Sequence, residues 1–505
     1  GRFGTGFVST HVLSKVVEIN GNKIDKNGKI FGFSVIIHRE GLNDSSISHD
    51  FKEMQKSLQV HQQLMPYTSF KYNINSDKSR ECLKLGLENF KNNISFVLIN
   101  CFEIKFIVLK ENNKSIKYHA TRKFIKKINN YSYYTYSIFT DNYAFQNYIV
   151  LIDEVDQISI SLQISKLGEI IHADRERLFT IFPLVGSKAH MLPFLINSPN
   201  FEPVTERNAL HLGGDSRING EMTNTGKNKV LLMKSIDLFK SLIQILNENK
   251  CPNMYELSRG LLLSQSPYSS FDMDWYKKSF LKNMRDIMAN NVTVQSISDK
   301  RILLRDAFFP SKKIFDFNLH EFLNLSKKYY KNMVDEKEAN IWKDKIWESL
   351  NICSVKKLIE SVINDKSIIN REKILYLNDL LDFIWKYDKN LLYEYTLIPD
   401  MNMNLHCLSK RNGENNDFKE CKSVPYCIIQ MMESIEIPWK STHMNNAITS
   451  INLSEDKIID AESRISEQIN NHDYLSLQLM RFVLEKNDFR QKMYEFVYEL
   501  KFMPF

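Results

Sequence analysis

The first seven residues of the chain, GRFGTGF at positions 1–7, decide how the rest of the sequence is interpreted. Glycines at positions 1, 4 and 6 form a G-x-x-G-x-G pattern. Glycine lets the backbone turn tightly beside an anion, and a following helix offers unpaired N–H groups and a positive dipole end. Val8, Val12 and Leu13 suit one face of such a helix. The pattern predicts a phosphate-binding loop, and a simple turn into a helix remains the alternative.

Two other phosphate-binding motifs do not fit. The dinucleotide fingerprint needs G-x-G-x-x-G after a strand, but the stretch from Gly4 has Ser9 at its last position. A P-loop needs G-x-x-x-x-G-K-[ST], but residues 220–228 have one residue too many and Asn228 in place of the hydroxyl. An acidic residue after a buried strand accompanies the P-loop in nucleotide-binding proteins of that class, and Asp153-Glu154 has this position. Because no P-loop is found, we interpret the pair as a solvated acidic turn after a buried strand.

Hydropathy divides the 505 residues into three predicted segments. Residues 1–75 contain the glycine loop, strands over 16–20 and 31–38, a polar helix over 47–64 and a strand over 68–74. The first two strands are separated by the turn residues Gly21-Asn22 and 26–28, which predict a hairpin. Residues 76–248 begin with a helix capped by Ser76 and end with a helix over 229–247. Between these helices the sequence predicts strands over 103–110, 134–139, 148–152, 159–164, 179–184 and 192–196.

The third segment, residues 249–505, is predicted to be mainly helical. Its predicted helices cover 275–288, 319–334, 338–350, 355–362, 371–387 and 427–434, with a last helix capped by Ser454. Two short strands are predicted over 293–297 and 301–304. The fold class is therefore an α+β (α/β) multidomain protein: an incomplete α/β layer, a middle α+β domain and a mainly helical region.

Composition limits the functions that the chain can have. Lys plus Arg is 67 and Asp plus Glu is 60, so a net charge of +7 is spread over a chain that is 25% charged. Dedicated nucleic-acid binders concentrate basic charge, so nucleic acid is not an expected partner. Seven scattered cysteines predict a reduced, cytoplasmic protein. The most apolar stretch, residues 94–109, is too short and too interrupted for a membrane span.

Residues 1–9, GRFGTGFVS, closely resemble the second glycine box of the GHKL ATPase superfamily, in the branch of the ninety-kilodalton heat-shock chaperones and sacsin. Three later stretches resemble the segment after the ATPase domain in sacsin-like bacterial ATP-binding proteins. They are LFTIFPL at 178–184, LPFLINS at 192–198 and FEPVTERN at 201–208. The resemblance covers about residues 1–250.

The resemblance implies a fold and a nucleotide site. Residues 1–75 would be the C-terminal remainder of a GHKL ATPase sandwich, and 76–248 a transducer-like middle domain. The cofactors implied are ATP and Mg²⁺. By motif position, the residues that close over the nucleotide phosphates are Gly1, Arg2, Phe3, Gly4, Thr5 and Gly6.

Arg207 is the candidate sensor of the γ-phosphate that the resemblance implies, since a guanidinium can bind two phosphate oxygens at once. The alternative is that Arg207 pairs with Glu206 or Glu202 in a structural turn. Arg175 and Arg177 are weaker candidates for this role, and we interpret them as a solvated charge run.

The sequence departs from the family in one respect. The N-box, with its general-base Glu and magnesium-binding Asn, and the first glycine box, with its adenine-reading Asp, lie upstream of the second box in the family. Neither is found in this sequence, so we expect a fragment that supplies a phosphate wall and does not hydrolyse ATP alone. In the intact protein, ATP hydrolysis would drive a conformational change in chaperone-like remodelling or bacterial defence. A protein client or effector and a homodimer are consistent with the resemblance, and the alternative is a non-enzymatic protein-interaction scaffold with a vestigial nucleotide-binding fold.

Two further sets of residues are interpreted structurally. His406, Cys407, Cys421 and Cys427 offer four ligand types for zinc, but they lack the C-x-x-C spacing of a zinc knuckle. We interpret the cysteines as packing residues beside a loop. His11, which follows the glycine loop, is interpreted as a capping or packing residue.

Overall fold

The computed structural model describes residues 10–471, apart from 112, 142, 173–174, 263–265, 267, 269–270, 368–369, 409, 412–413 and 416–417, together with residue 482. The glycine loop at positions 1–6 lies outside the described residues. The chain divides into two compact units. The first contains the residues up to Leu238 and Ser266–Asp272, and the second contains Phe239–Gln265 and the residues from Met273 onward. The predicted boundaries after residues 75 and 248 stay predictions.

The first two strands form a hairpin around a glycine turn. Strand β1 (Val16–Ile24) pairs antiparallel with β2 (Ile30–His38). Between them Gly28 has a φ of 82°, which lies in the left-handed region that glycine adopts without strain. The Asp25 carboxylate fixes the turn by accepting two backbone N–H groups, those of residues 27 and 29. The predicted hairpin is confirmed, with Gly21 inside the strand instead of in the turn.

A helix and two short strands complete this first sheet. Helix α1 (Asp44–Ser57) begins at a capping box in which Asn43 and Ser46 bond reciprocally. It ends before an extended Leu58, which leads into β3 (Gln59–His61). With β4 (Ser69–Tyr72) the sheet has the order β3-β2-β1-β4. The helix predicted over 47–64 is thus shifted upstream, because its capping residues precede the apolar positions used to predict it.

Helix α2 (Asp77–Asn100) connects the first sheet to the second. The Ser76 hydroxyl accepts the N–H of Ser79 at 3.1 Å, so the predicted cap is confirmed. Residues 93–99 are all buried. The ring of Phe96 packs edge-on against Tyr148 and tilted against Phe179, with ring centres 5.1 and 5.6 Å apart. The carboxyl end of α2 is therefore part of the core of the second sheet.

The second sheet has eight strands within the described residues, in the order β11-β10-β12-β9-β8-β7-β6-β5. Neighbours are antiparallel, except that β10 and β12 are parallel. The strands are β5 (Phe106–Glu111), β6 (Lys114–Ile128), β7 (Tyr131–Thr140), β8 (Tyr143–Asp153), β9 (Ile158–Ile164), β10 (Leu178–Thr180), β11 (Phe182–Pro183) and β12 (Leu195–Asn197). Sequence analysis missed β6, because its side chains are mostly exposed and six of the fifteen are basic.

Helix α3 (Asn224–Glu248) follows a small hairpin of Arg217–Ile218 and Glu221–Met222. The side chain of Asn228 on this helix is fully buried. Its Oδ1 accepts the N–H of Glu202 at 2.8 Å, and its Nδ2 donates to the carbonyls of Glu202 and His211 at 2.8 and 3.0 Å. Asn228 therefore has a structural role, which agrees with the exclusion of a P-loop at residues 220–228.

The second unit is mainly helical, as predicted. Its α-helices are Met273–Trp275, Lys282–Asn291, Lys312–Phe317, Leu319–Ser326, Glu336–Trp342, Val355–Asn364, Arg371–Asp388, Leu391–Glu394, Tyr426–Ser434, Trp439–Thr442 and Ile458–Asn471. Its strand pairs are Thr293–Gln295 with Arg301–Leu303, Phe308–Pro310 with Asn351–Cys353, Ile398–Pro399 with Leu405–His406, and Lys410–Arg411 with Glu414–Asn415.

Three predicted helices of this unit have different bounds. The helix that starts at Leu319 ends at Ser326 instead of residue 334, and the one predicted over 338–350 ends at Trp342. The last helix begins at Ile458 and not after Ser454. Its start is set by Asp460, whose carboxylate accepts the backbone N–H of residue 457 at 2.6 Å.

The protein thus has a mixed α+β multidomain fold. In the first unit the core lies between α2 and one face of strands β7 and β8. In the second unit one core surrounds Arg371–Asp388, and a second surrounds Tyr426–Ser434 and Ile458–Asn471. None of the described helices has the length and hydropathy needed to cross a membrane.

Candidate functional site

A cavity of about 560 Å³ opens beside the segment that follows the glycine loop. Its walls come from three parts of the first unit: the chain that enters β1, the residues after β2, and the junction between β4 and α2. It is lined by His11, Val12, Leu13, Ser14, Lys15, Val16, Glu40, Asn73, Asn75, Ser76, Lys78 and Ser79.

Arg39, at the end of β2, holds the segment between the glycine loop and β1 in place. Its guanidinium donates to the carbonyl of Ser14 at 2.6 Å and to the hydroxyl of Thr10 at 3.1 Å. Its backbone N–H donates to the carbonyl of Lys15 at 2.8 Å. Three hydrogen bonds from one residue fix the path of the chain as it leaves the glycine loop, so the cavity wall has a defined shape.

The amino terminus of α2 forms the opposite wall. The Ser79 hydroxyl donates to the carbonyl of Val12 at 3.2 Å, which joins the helix to the segment after the glycine loop. Near its first turn, a 24-residue helix has unpaired N–H groups and a positive dipole end. Lys15 and Lys78 add two ammonium groups to the lining, against the single carboxylate of Glu40. The cavity is therefore suited to an anion.

The described residues do not offer a metal site. In the described ranges, no three His, Cys, Asp or Glu side chains lie close enough together to hold a metal ion. Magnesium binding requires oxygen ligands in an octahedral arrangement. The described residues thus contain no all-protein metal cluster, whereas Mg²⁺ at a nucleotide is usually held by one or two carboxylates together with phosphates and water.

Arg207 lies in a tight turn and does not line this cavity. Its φ is 52°, and its backbone N–H donates to the carbonyl of Val204 at 2.9 Å. Its guanidinium donates to the hydroxyl of Thr180 on β10 at 2.9 Å. The turn therefore connects to the second sheet through Thr180, and not through the ion pair with Glu206 or Glu202 that was the structural alternative.

The interpretation of Arg175 and Arg177 as a solvated charge run is wrong. Arg177 is only 4% exposed. The guanidinium of Arg175 donates to the hydroxyl of Tyr148 at 3.3 Å and lies 5.0 Å from the ring centre of Phe96. The chain between β9 and β10 thus brings Arg175 against Tyr148 and Phe96 and buries Arg177, so these two side chains are not in solvent.

Glu176, between these arginines, belongs to a buried polar network with Ser187. The Ser187 hydroxyl is fully buried and donates to the Glu176 carboxylate at 3.0 Å. It also accepts the backbone N–H groups of Arg177 and Leu178, each at 3.1 Å. Gly186 precedes it with a φ of 102°, a conformation that glycine permits and that turns the chain so that Ser187 faces inward.

His190 lies in the same network. Its Nδ1 is 3.0 Å from the carbonyl of Ser187, and its ring contacts those of Tyr268 and Phe271. Burial lowers the pKa of His190 to about 4, so the ring is neutral at neutral pH. Sequence analysis missed this network; the signal that could have found it is the glycine before Ser187 in VGSKAH, residues 185–190.

The acidic pair at the end of β8 is structural, as expected. Asp153 ends the strand and accepts the N–H groups of Val155 and Asp156 at 3.0 and 3.1 Å. Glu154 accepts a hydrogen bond from the hydroxyl of Ser132 at 2.9 Å. Asp153 is 8% exposed, so the part of the prediction that placed this residue in a solvated turn is wrong.

The four residues weighed for zinc do not form a ligand set. His406 instead pairs with the fully buried carboxylate of Asp400 at 2.9 Å, and its ring stacks on Phe418. Cys421 and Cys427 are buried packing residues, which confirms that interpretation for them, and all seven cysteines are free thiols. His11 lines the cavity described above.

A second buried carboxylate, Asp456, connects three elements of the second unit. It accepts hydrogen bonds from Lys419 at 2.6 Å and from Arg464 at 2.7 Å, and lies 3.2 Å from Nε2 of His443. Burial opposes ionisation, but the Lys419 hydrogen bond and the Arg464 charge together hold the pKa of Asp456 below its usual range. The His443 ring stacks on Trp439 with centres 3.9 Å apart. We call this arrangement the Asp456 hub; removal of the buried carboxylate would leave the two cationic side chains without their partner.

Comparison with known proteins adds no relative: the chain matches no protein-family model, no curated protein and no solved structure.

Proposed function

We propose that this chain is part of a GHKL-type ATPase, in which the glycine loop and the adjoining cavity bind the phosphates of ATP. Helix α2 would transmit nucleotide binding to the second sheet. The resemblance of residues 1–9 to a second glycine box motivates the proposal. The observation that carries it is that the anion-suited cavity is lined by residues 11–16, which follow that loop in the sequence.

The cavity supports phosphate binding through its charges. Lys15 lies on the segment that leaves the glycine loop, and Lys78 lies in the first turn of α2. Ammonium groups and helix N–H groups are the donors that proteins use for phosphate. In this proposal, Lys15 and Lys78 bind phosphate oxygens beside the glycine loop, and Arg39 keeps the segment that carries Lys15 in position.

The course of α2 supports coupling between the cavity and the second sheet. Its first turn lines the cavity, and its residues 93–99 are buried against that sheet. A helix of 24 residues spans about 36 Å at 1.5 Å per residue. A displacement of its first turn would therefore move the packed residues around Phe96, because a helix transmits displacement along its axis.

Arg207 remains the proposed γ-phosphate sensor. Its hydrogen bond to Thr180 holds the guanidinium on β10. To contact a phosphate it would have to leave Thr180, so its role requires a rearrangement of the turn between Pro203 and Leu210. ATP contributes the anionic phosphates that these residues bind, and we derive no step through Mg²⁺.

Titration with a fluorescent ATP analogue tests the phosphate site. The Lys15→Gln/Lys78→Gln variant should bind about tenfold or more weakly, since each charged hydrogen bond contributes roughly 1 kcal/mol or more. Unlabelled ATP and inorganic triphosphate should compete, and adenosine should not. The control is Lys23→Gln/Lys29→Gln, which removes two exposed lysines of the β1–β2 hairpin. Equal affinity of the two double variants would contradict the proposal.

Turnover of radiolabelled ATP by the full-length protein, which would include the N-box and first glycine box, separates the proposal from its alternative. Gly4→Asp and Gly6→Asp place a side chain and a negative charge in the loop that would approach phosphate, so an ATPase should lose its activity in both variants. A protein-interaction scaffold with a vestigial loop would give the same rate before and after these substitutions.

A further inference from the structure

The excess basic charge of the protein is concentrated in one segment. Residues 105–127 contain eight lysine and arginine residues and a single acid, Glu111. The whole chain has 67 basic and 60 acidic residues, so the remainder contains 59 of each. The segment therefore carries the entire net charge of +7. It forms β5 and β6 at one edge of the second sheet.

The two faces of these strands have different environments. Ile107 and Leu109 on β5 and Tyr118 on β6 pack against the core that contains α2. Because side chains alternate along a strand, the residues between them point to the opposite face. On that face Phe106 is 54% exposed, and Lys110, Lys117 and Lys123 are also exposed.

Aromatic rings cross this face in a row. In the registered pairs, Phe106 on β5 lies opposite His119 on β6, which lies opposite Phe139 on β7. The rings of His119 and Phe139 stack with centres 5.2 Å apart and planes 14° apart. The ammonium group of Lys117 lies 4.5 Å from the ring centre of Phe106. We name this surface the lysine–aromatic face and define it by Phe106, Lys110, Lys117, His119, Lys123 and Phe139.

Protection of a sheet edge does not account for these lysines. Lysine on an edge strand prevents pairing with another chain, and this explains Lys110 on β5. Strand β6 lies between β5 and β7, however, and has no free edge. Lys117 and Lys123 therefore need another explanation. An anionic partner provides one, because these ammonium groups lie on a broad exposed sheet face.

The aromatic row indicates which anionic partner fits. Sheets that bind single-stranded nucleic acid use exposed aromatic rings as platforms for unstacked bases, and flanking basic residues for phosphates. A duplex hides its base faces, and the carboxylates of an acidic peptide or the phosphate of a lipid headgroup offer no ring to stack. We propose that the lysine–aromatic face binds single-stranded nucleic acid, with bases on Phe106, His119 and Phe139 and phosphates on Lys110, Lys117 and Lys123.

Fluorescence anisotropy of the full chain with a labelled oligothymidine of about twelve nucleotides tests the proposal. Affinity should fall with salt with a log–log slope of about −2, since each of three phosphate contacts contributes about −0.7. Lys117→Gln/Lys123→Gln should weaken the slope by about 1.4. Phe106→Ala should weaken binding roughly tenfold and leave the slope unchanged, because it removes stacking and no charge.

Matched substitutions off the face serve as controls. Lys84→Gln/Lys166→Gln removes two exposed lysines elsewhere in the first unit, and Leu85→Ala truncates an apolar side chain of α2 that is 54% exposed. These variants should bind like the unmodified chain. The proposal is overturned if duplex DNA binds as tightly as the single strand, if Phe106→Ala has no effect, or if the controls weaken binding equally. It is also overturned if vesicles of anionic lipid bind through the same lysines and the oligonucleotide does not.

Discussion

Replacing Ser187 by alanine tests whether the buried network between β9 and β12 stabilises the first unit. The hydroxyl is fully buried, donates to Glu176 and accepts two backbone N–H groups. Alanine leaves both N–H groups without that acceptor, at roughly 1–3 kcal/mol each, and removes one donor from a buried carboxylate. Because such losses do not add fully, we expect the free energy of unfolding of this unit to fall by about 3 kcal/mol.

The positions of the tryptophans make the effect measurable in one unit. All five, at 275, 342, 347, 385 and 439, belong to the second unit. In a urea titration, tryptophan fluorescence therefore follows the second unit, and far-ultraviolet circular dichroism follows both. Ser187→Ala should move the circular dichroism transition of the first unit to lower urea and leave the fluorescence transition in place.

Ser235→Ala is the matched control, since it is the same chemical change at an equally buried serine of the same unit. The Ser235 hydroxyl donates only to the carbonyl of Leu232, one turn back on α3. No backbone donor loses its partner there, so we expect a loss of about 1 kcal/mol or less. Equal shifts for the two variants would refute the reasoning that the accepted N–H groups at Ser187 carry the difference.

Two further predictions concern buried ionisable groups. Burial holds the pKa of His190 at about 4, below its ordinary value of 6.5. Below pH 6.5 the unfolded chain therefore takes up a proton at this residue that the folded chain does not, and the free energy of unfolding decreases as the pH falls. This decrease in the free energy of unfolding should reach about 2 kcal/mol near pH 5 and be absent in His190→Gln. Urea titrations near pH 7.5 and pH 5 measure it, and the same pH dependence in the variant and the unmodified chain would contradict the prediction. Asp456→Asn should destabilise the second unit by about 3 kcal/mol, because it leaves Lys419 and Arg464 facing a neutral group. The fluorescence transition should shift to lower urea, whereas Glu455→Gln should leave it unchanged, and an unshifted transition in Asp456→Asn would disprove the role of the hub.

Much of the fold could be predicted because its signals are local. The Gly28 turn and the Ser76 cap act on residues within a few positions, and both are confirmed. The long helices also follow from their own periodicity. Strand β6 could not be found in this way, because hydrogen bonds to β5 and β7 define it, while its own residues are mostly exposed and lack an apolar alternation.

The candidate sites were harder to predict, because their partners are distant in sequence. Arg175 was expected in solvent, but its partner Tyr148 is 27 residues away on β8. Nothing in the local sequence distinguishes a buried arginine from a solvated one when a folded sheet supplies the acceptor. The anion-suited cavity likewise joins residues 11–16 to residues 73–79, and only the first group is near the glycine motif in the sequence.

Helix α2 takes part in both proposed sites. The charge distribution along the chain explains why composition alone predicted neither of them. The amino end of α2 lines the anion-suited cavity, and its buried end packs on the inner face of the sheet whose outer strands carry the lysine–aromatic face. Averaged over the chain, +7 is a small charge, and averaging is what made a nucleic-acid partner unexpected. Outside residues 105–127 the numbers of basic and acidic residues are equal, so the net charge lies in this segment. The electrostatic field at β5 and β6 is therefore that of a basic patch and not of a weakly basic protein. Net charge therefore limits partners only after the fold has shown which residues share a surface.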